Sequence, residues 1–158
     1  MEGFQVHPIG KVRVNEEVMA IVIDPKYVPA LQALDGFSHL NVFWWFSDCD
    51  SAEARETLQT QQPYQKAPPV MGVFATRSPI RPNPIALTTA QVTDVDFQKG
   101  VIKVGYIHAN DRTPVLDIKP YTPSIDTVES PTTPEWCSDW PKSMEESATF
   151  AWESVFNF

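Results

Sequence analysis

The chain has 158 residues, 42% hydrophobic and 20% charged, the composition of one globular domain long enough to bury a core. Twelve Lys and Arg against twenty Asp and Glu give a formal net charge of −8. That balance argues against broad, non-specific nucleic-acid binding, which depends on neutralising phosphates.

The opening segment, MEGFQVHPIG, lacks the basic and apolar stretches of a signal peptide. No apolar run approaches the roughly 20 residues that cross a bilayer, so a soluble, cytoplasmic protein with no membrane partner is expected. Fifteen prolines, about twice the usual share, separate short apolar runs and favour many strands and turns over long helices. Residues 18–23 (VMAIVI) form a branched, apolar strand candidate. Residues 29–34 read as one helical turn ending before Asp35-Gly36. Residues 37–46 (FSHLNVFWWF) are best placed as a central strand. Asp50 or Ser51 can cap a helix through about Thr60, with Glu53 available for a capping box.

Residues 61–69 form a polar, proline-broken linker, and 70–75 an apolar strand. Residues 86–97 and 101–107 read as two strands joined by Gln98-Lys99-Gly100, a hairpin signal. Ser143 and Glu146 have capping-box spacing at the start of a C-terminal helix carrying Met144, Ala148 and Trp152 on one packing face. Cys49 and Cys137 form no CxxC pair or Cys/His cluster, so neither a disulfide framework nor a zinc site is expected, and no metal is assigned. The fold class is therefore mainly β (α+β), with residues 1–125 as one compact domain and 126–158 as an acidic, Trp-containing extension packed on it.

One stretch, GVFATRSPIRPNPIAL (72–87), concentrates chemistry. It holds Arg77, Arg81, Thr76, Ser78 and Asn83 among Pro79, Pro82 and Pro84. Proline fixes φ near −65° and removes a donor, so residues 78–84 cannot run as a helix or a central strand. A stiff, extended loop presents polar side chains with little entropy left to lose on binding.

Four segments together resemble the TsaA-like (TrmO-type) family: Gly36-Phe37-Ser38-His39-Leu40, the 72–87 loop, Asp111 with Thr113-Pro114-Val115, and LDIKPY at 116–121. They follow the family's order and cover roughly residues 7–122. The resemblance implies a compact β-barrel, distinct from Rossmann-like methyltransferases. It implies a homodimer that binds S-adenosyl-L-methionine near the subunit interface. It also implies methyl transfer to N6 of threonylcarbamoyl-adenosine beside the anticodon of tRNA.

By the same resemblance, Arg77, Leu87 and the stretch His108, Ala109, Asn110 and Asp111 contact the cofactor, with Thr76 and Ser78 alongside. The chemistry is compatible: an Arg fork suits the cofactor carboxylate, Asp111 can accept from ribose hydroxyls or the amine, and Leu87 can wall the adenine. The plainer alternatives are Leu87 as core, Asp111 as a turn-former and Arg77 as a surface ion pair.

An exocyclic adenine amine is a poor nucleophile until an acceptor orients its hydrogens, and it sheds a proton as the bond forms. Asp117, Lys119 and Tyr121 are candidates for that work, sharing one face of a β segment, though Pro120 argues against regular pairing there. Asn83 can pair with an adenine edge, and Arg81 and His39 are assigned to substrate binding. His39 is either a proton acceptor or a satisfied core residue of an apolar strand.

The chain departs from the family pattern at several places. Lys11-Val12-Arg13 follows Ile9-Gly10 where relatives have RSP, and Ser47-Asp48 stands where a His is common. Ala86 and Arg112 replace glycines of the family's PNPIG and DGTP motifs. A Gly-to-Ala change is tolerated at negative φ and costly at positive φ. The favoured reading is a tRNA methyltransferase; the alternatives are a methyltransferase for another substrate and a non-catalytic S-adenosylmethionine-binding domain.

Overall fold

The computed structural model describes residues 3–158. Six antiparallel strands close into a barrel: β1 (Gly10–Val14), β2 (Met19–Ile23), β3 (His39–Trp45), β6 (Ile85–Asp96), β7 (Val101–Val104) and β8 (Pro114–Pro120). Their order around the barrel is β1-β2-β7-β6-β3-β8, with β8 returning to β1. Closure removes the sheet edges that would otherwise invite pairing with other chains. Alternation sets the inside: Leu40, Val42 and Trp44 of β3 point inward, while His39, Asn41, Phe43 and Trp45 lie half-buried on the outer face. Val12, Ile21, Ile102 and Val115 complete a fully excluded core. Gly10 is required where β1 meets β2, because a Cβ there would overlap the Val22 carbonyl oxygen.

β3 is central, flanked by β6 and β8. Residues 25–31 form a 3-10 helix, earlier and longer than the turn expected at 29–34, and its Leu31 is buried in the core. The β6–β7 hairpin turns where expected. Asp96 accepts from the amides of Gln98 and Lys99, and Gly100 takes φ +66°. β7 stops at Val104, three residues short of the expected end, as the chain leaves to place Ile107 in the core.

Two helices are shorter than their sequence signals. α1 (Ala52–Glu56) is capped by the Ser51 hydroxyl, which accepts from Ala54, so Glu53 has no capping-box role. It ends at Glu56 rather than Thr60 because β4 (Gln59–Gln61) pairs with β5 (Val70–Gly72) in a separate two-stranded sheet. The expected strand 70–75 is thereby split, with Val73–Ala75 forming a 3-10 turn. A four-residue helix, α2 (Pro123–Asp126), follows β8. α3 (Met144–Ser147) begins at the expected Ser143 cap but runs only four residues. The Trp152 indole donates to the Ser147 carbonyl at 3.1 Å, folding the chain back on the helix end. Met144 and Ala148 are consequently exposed, and the expected apolar stripe does not form.

The C-terminal extension packs on the 62–67 segment. The Tyr64 ring stacks on Trp136 at 5.5 Å and meets Trp140 edge-on, and Trp140 in turn meets Trp152. Backbone bonds reinforce the seam, with Gln65 N–H to Val155 and Asn157 N–H to Pro63. Lys66 pairs with Asp139 at 2.6 Å.

Candidate functional site

Residues 76–84 form the irregular loop that their prolines dictate. Its polar groups brace one another. The buried Thr76 hydroxyl donates to Val73 at 2.8 Å and accepts from the Ser78 amide, and the Ser78 hydroxyl accepts from Ile80. Arg81 bends back to donate to the carbonyls of Thr76 and Ser78 at 3.3 and 3.2 Å. Thr76, Ser78 and Arg81 thus hold the loop in shape, while Arg77 and Asn83 project from it, exposed. Arg77 makes no ion pair among the described residues. Burial raises the pKa of the Tyr64 phenol, and the Arg77 backbone amide beside it opposes that shift.

At one end of the barrel a slot of about 170 Å³ opens between the residues after β3, the loop and the 108–113 segment. Trp44, Trp45 and Phe46 form its aromatic side; Pro79 comes from the loop, and His108, Asn110 and Thr113 from the third segment. Asn110 donates to Asp48 at 2.8 Å, tying two walls together. Ala109 is buried beneath the segment, and the exposed His108 meets Tyr106 edge-on at 4.6 Å. Asp48, Cys49 and Thr113 also line the slot, although the sequence assigns none of them a site role. Thr113 belongs to a family motif, and Asp48 was signalled only by the departure at Ser47-Asp48.

Asp111 belongs to the adjoining turn. Its carboxylate accepts from the Val14 amide at 3.0 Å and lies 3.8 and 3.7 Å from the guanidinium nitrogens of Arg13 and Arg112. The amide first, then the two cations, hold its pKa below the usual value. Arg112 sits at φ +67°, the left-handed region, in a turn closed by Thr113 N–H to Asn110. Ala86, at the other lost glycine, is a buried strand residue with ordinary negative φ and carries no strain.

The remaining candidates line up across the outer face of three strands. Leu87, Phe43 and Asp117 form one row, Thr89, Asn41 and Lys119 the next, and the chain continues to His39 and Tyr121. Leu87 is 42% exposed here rather than core. His39 likewise faces outward, its Nδ1 2.9 Å from the Ser38 hydroxyl. Lys119 and Asp117 pair at 2.9 Å, which raises the lysine pKa. Pro120 does not break the ladder. The Tyr121 amide bonds to His39, so alternation turns the Pro120 nitrogen toward the edge past which β1 no longer pairs. The row of Asp117 is one residue along β3 from Trp44 of the slot, and the register shifts between them. Asn83, Arg77 and Asp111 do not line the slot.

Fold and site together define a small closed antiparallel barrel whose strand ends hold an aromatic-walled slot beside a braced, arginine-bearing loop. The tRNA-methyltransferase O N-terminal domain model matches residues 4–127, and the chain belongs to that family. A probable S-adenosyl-L-methionine-binding protein of Methanocaldococcus jannaschii is 35% identical over 123 residues, 78% of this chain and 96% of that protein. The tRNA (adenine(37)-N6)-methyltransferase of Escherichia coli is 37% identical over 101 residues, 63% of this chain but 42% of that enzyme. The crystal structure of TrmO from P. aeruginosa superposes with a TM-score of 0.65 at 25% identity, covering 85% of this chain and 62% of that one. The chain thus spans less than two thirds of these bacterial proteins.

Proposed function

We propose that this protein is an S-adenosylmethionine-dependent methyltransferase acting on N6 of an adenosine in tRNA, beside the anticodon. The resemblance makes that acceptor threonylcarbamoyl-adenosine. The observation that carries the proposal is the slot: family-assigned residues His108 and Asn110 share its lining with three aromatic rings and Asp48. Aromatic walls suit an adenine face, and a carboxylate–amide pair suits hydroxyl or ammonium groups. The slot's Asp48, His108, Asn110 and Thr113 fit the polar groups of the cofactor, and Arg77, exposed on the loop outside the slot, is assigned its carboxylate. When bound, S-adenosylmethionine supplies an electrophilic methyl group.

The protein's own part is positioning and proton handling. Asp117, paired with Lys119, orients the acceptor amine and takes its proton, with Tyr121 and His39 on the same face. Asn83 pairs with an adenine edge at the loop, and Arg81 shapes that loop from within.

At about 170 Å³ the slot lies below the roughly 300 Å³ at which small-molecule pockets begin. This supports a homodimer in which a second copy completes the site. Exposed Phe74 of the preceding 3-10 turn, Ile80 of the loop, and Ile85 and Leu87 of β6 supply apolar surface for that contact. A cytoplasmic location follows from a tRNA substrate, and no helix among the described residues is long and apolar enough to cross a membrane. A boundary near residue 125 is part of this proposal; the family match ends at residue 127, and residues beyond it dock on 62–67.

Calorimetric titration with S-adenosylmethionine, then a tRNA methylation assay, tests the proposal. Binding that Arg77→Ala weakens about fivefold or more, the worth of a charge-assisted contact, supports it. Absence of binding by a folded wild-type protein removes it.

A further inference from the structure

An acidic protein that acts on tRNA needs somewhere to meet phosphate, and the structure assigns that role to Lys11, Arg13 and Arg112. This inference rests on the tRNA reading above. Val12 points into the core, so its neighbours Lys11 and Arg13 project from the outer face of β1. The Arg112 amide donates to the Val12 carbonyl at 2.8 Å, placing a third cation against the same strand.

Carboxylates are scarce at this spot, though Lys26, Arg77, Arg81 and Lys142 elsewhere also have no ion pair among the described residues. Arg55, Lys66, Lys99, Lys103 and Lys119 each face a carboxylate of their own. Arg13 and Arg112 share one, Asp111, at 3.8 and 3.7 Å, and Lys11 has no ion pair among the described residues. Both distances are longer than a charge-assisted hydrogen bond, so both guanidiniums keep donors free for a phosphate. Glu16 and Glu17, in the β1–β2 turn, are the nearest acidic residues along the strand.

Two further observations point the same way. Arg112 is 80% exposed and held at positive φ, in the third position of its turn, where glycine is the relaxed choice. Its one ion pair is an exposed 3.7 Å approach to Asp111, a small return for a strained, solvent-facing cation, so a binding role is the better account of it. The acidity is also segregated. Residues 128–158 carry six carboxylates and one lysine and dock on the 62–67 segment, while Asp126 accepts from Asn41 of β3. Among the described residues no hydrogen bond or ion pair joins 128–158 to β1 or to the 110–113 turn. The cationic patch flanks the slot through Asn110 and Thr113, which line it on either side of Asp111 and Arg112. A phosphate held here belongs to the backbone of the substrate RNA.

The test measures binding of a fluorescein-labelled anticodon stem-loop RNA against salt concentration. Arg112→Gly and the double variant Lys11→Gln/Arg13→Gln are compared with wild type, and Lys103→Gln serves as a control cation outside the patch. Removing one cation that neutralises a phosphate is expected to lower the slope of log K against log salt by about 0.7–0.9, with affinity falling several-fold at low salt. Arg112→Gly relieves the backbone, so its melting temperature does not fall and weakened binding is not unfolding. Unchanged affinity and slope in the patch variants, with wild type binding RNA, overturn this inference and leave the methyltransferase reading standing. A wild-type protein that binds S-adenosylmethionine but no RNA overturns both.

Discussion

Asn110 Nδ2 and Asp48 Oδ2 lie 2.8 Å apart, joining the segment before β8 to the turn after β3 across the floor of the slot. Two walls that belong to distant parts of the chain are thereby held at a fixed separation. Asp48→Ala is expected to weaken S-adenosylmethionine binding about two- to tenfold, the range of one hydrogen bond, with little change in melting temperature because the pair is exposed. Calorimetry beside a thermal scan checks this. A large drop in stability with unchanged affinity would make the bond a fold element and not a site element.

Arg112 occupies a conformation that suits glycine, at φ +67°. For an L-residue the left-handed region costs about 1–2 kcal/mol. Arg112→Gly removes that cost but loosens the unfolded chain, which offsets part of the gain. The expected net effect is stabilisation by about 0.5–1 kcal/mol, a rise of roughly 1–4 °C in melting temperature. A fall instead would mean that the exposed Arg112–Asp111 pair at 3.7 Å outweighs the backbone strain.

The strands were legible because their signals are local and mutually consistent, whereas their closure into a barrel was implied by the family resemblance alone. The alternating aromatic run at 37–46, the branched run at 18–23 and the Gly100 hairpin all became strands and turns where expected. Helix lengths were not legible, because tertiary pairing decided them: Gln59–Gln61 pairs with Val70–Gly72, and Trp152 folds back on Ser147. The site divided the same way. Prolines announce the loop and its stiffness. That Arg81 braces it while Arg77 projects depends on carbonyl positions no pattern encodes. Asp48 was visible only as a departure from a family motif, since its partner Asn110 lies 62 residues away.

On the outer face of β8, Lys119 holds Asp117 at 2.9 Å. If Asp117 receives the proton of the acceptor amine, Asp117→Asn keeps the shape and loses the base. Methyl transfer from a single turnover is expected to slow about 10²–10⁴-fold, the usual contribution of a positioned base, with cofactor affinity unchanged. Lys119→Gln, which leaves the carboxylate, is expected to be milder. Equal loss in both would point to the ion pair as a scaffold.

Tyr64 anchors the C-terminal extension through Trp136, Trp140 and Phe156. None of these rings belongs to the barrel core. Aromatic pairs contribute about 0.5–1.5 kcal/mol each beyond burial, so Tyr64→Ala removes enough to detach the extension while the barrel stays folded. Hydrogen exchange is expected to accelerate across residues 134–157 and not in β3 or β6. Uniform acceleration would show one cooperative unit.

The last prediction concerns acid. Asp111 has its pKa lowered, first by the Val14 amide and then by Arg13 and Arg112. A carboxylate lowered on folding stabilises the protein above its unfolded pKa of about 4, and that contribution is lost as pH falls through the folded value. Asp111→Asn keeps an oxygen that can accept from Val14 but abolishes the charge. Wild type is therefore expected to be the more stable protein at pH 7, with the gap closing as pH drops below about 4. Asp50, Asp96 and Asp139, lowered by Arg55, the Lys99 amide and Lys66 respectively, titrate in both proteins and cancel in the comparison. High salt is expected to shrink the gap at pH 7 as well, because the two guanidiniums act through solvent-exposed space. A gap unchanged both by acid and by high salt would assign the whole effect to hydrogen-bond geometry and none to charge.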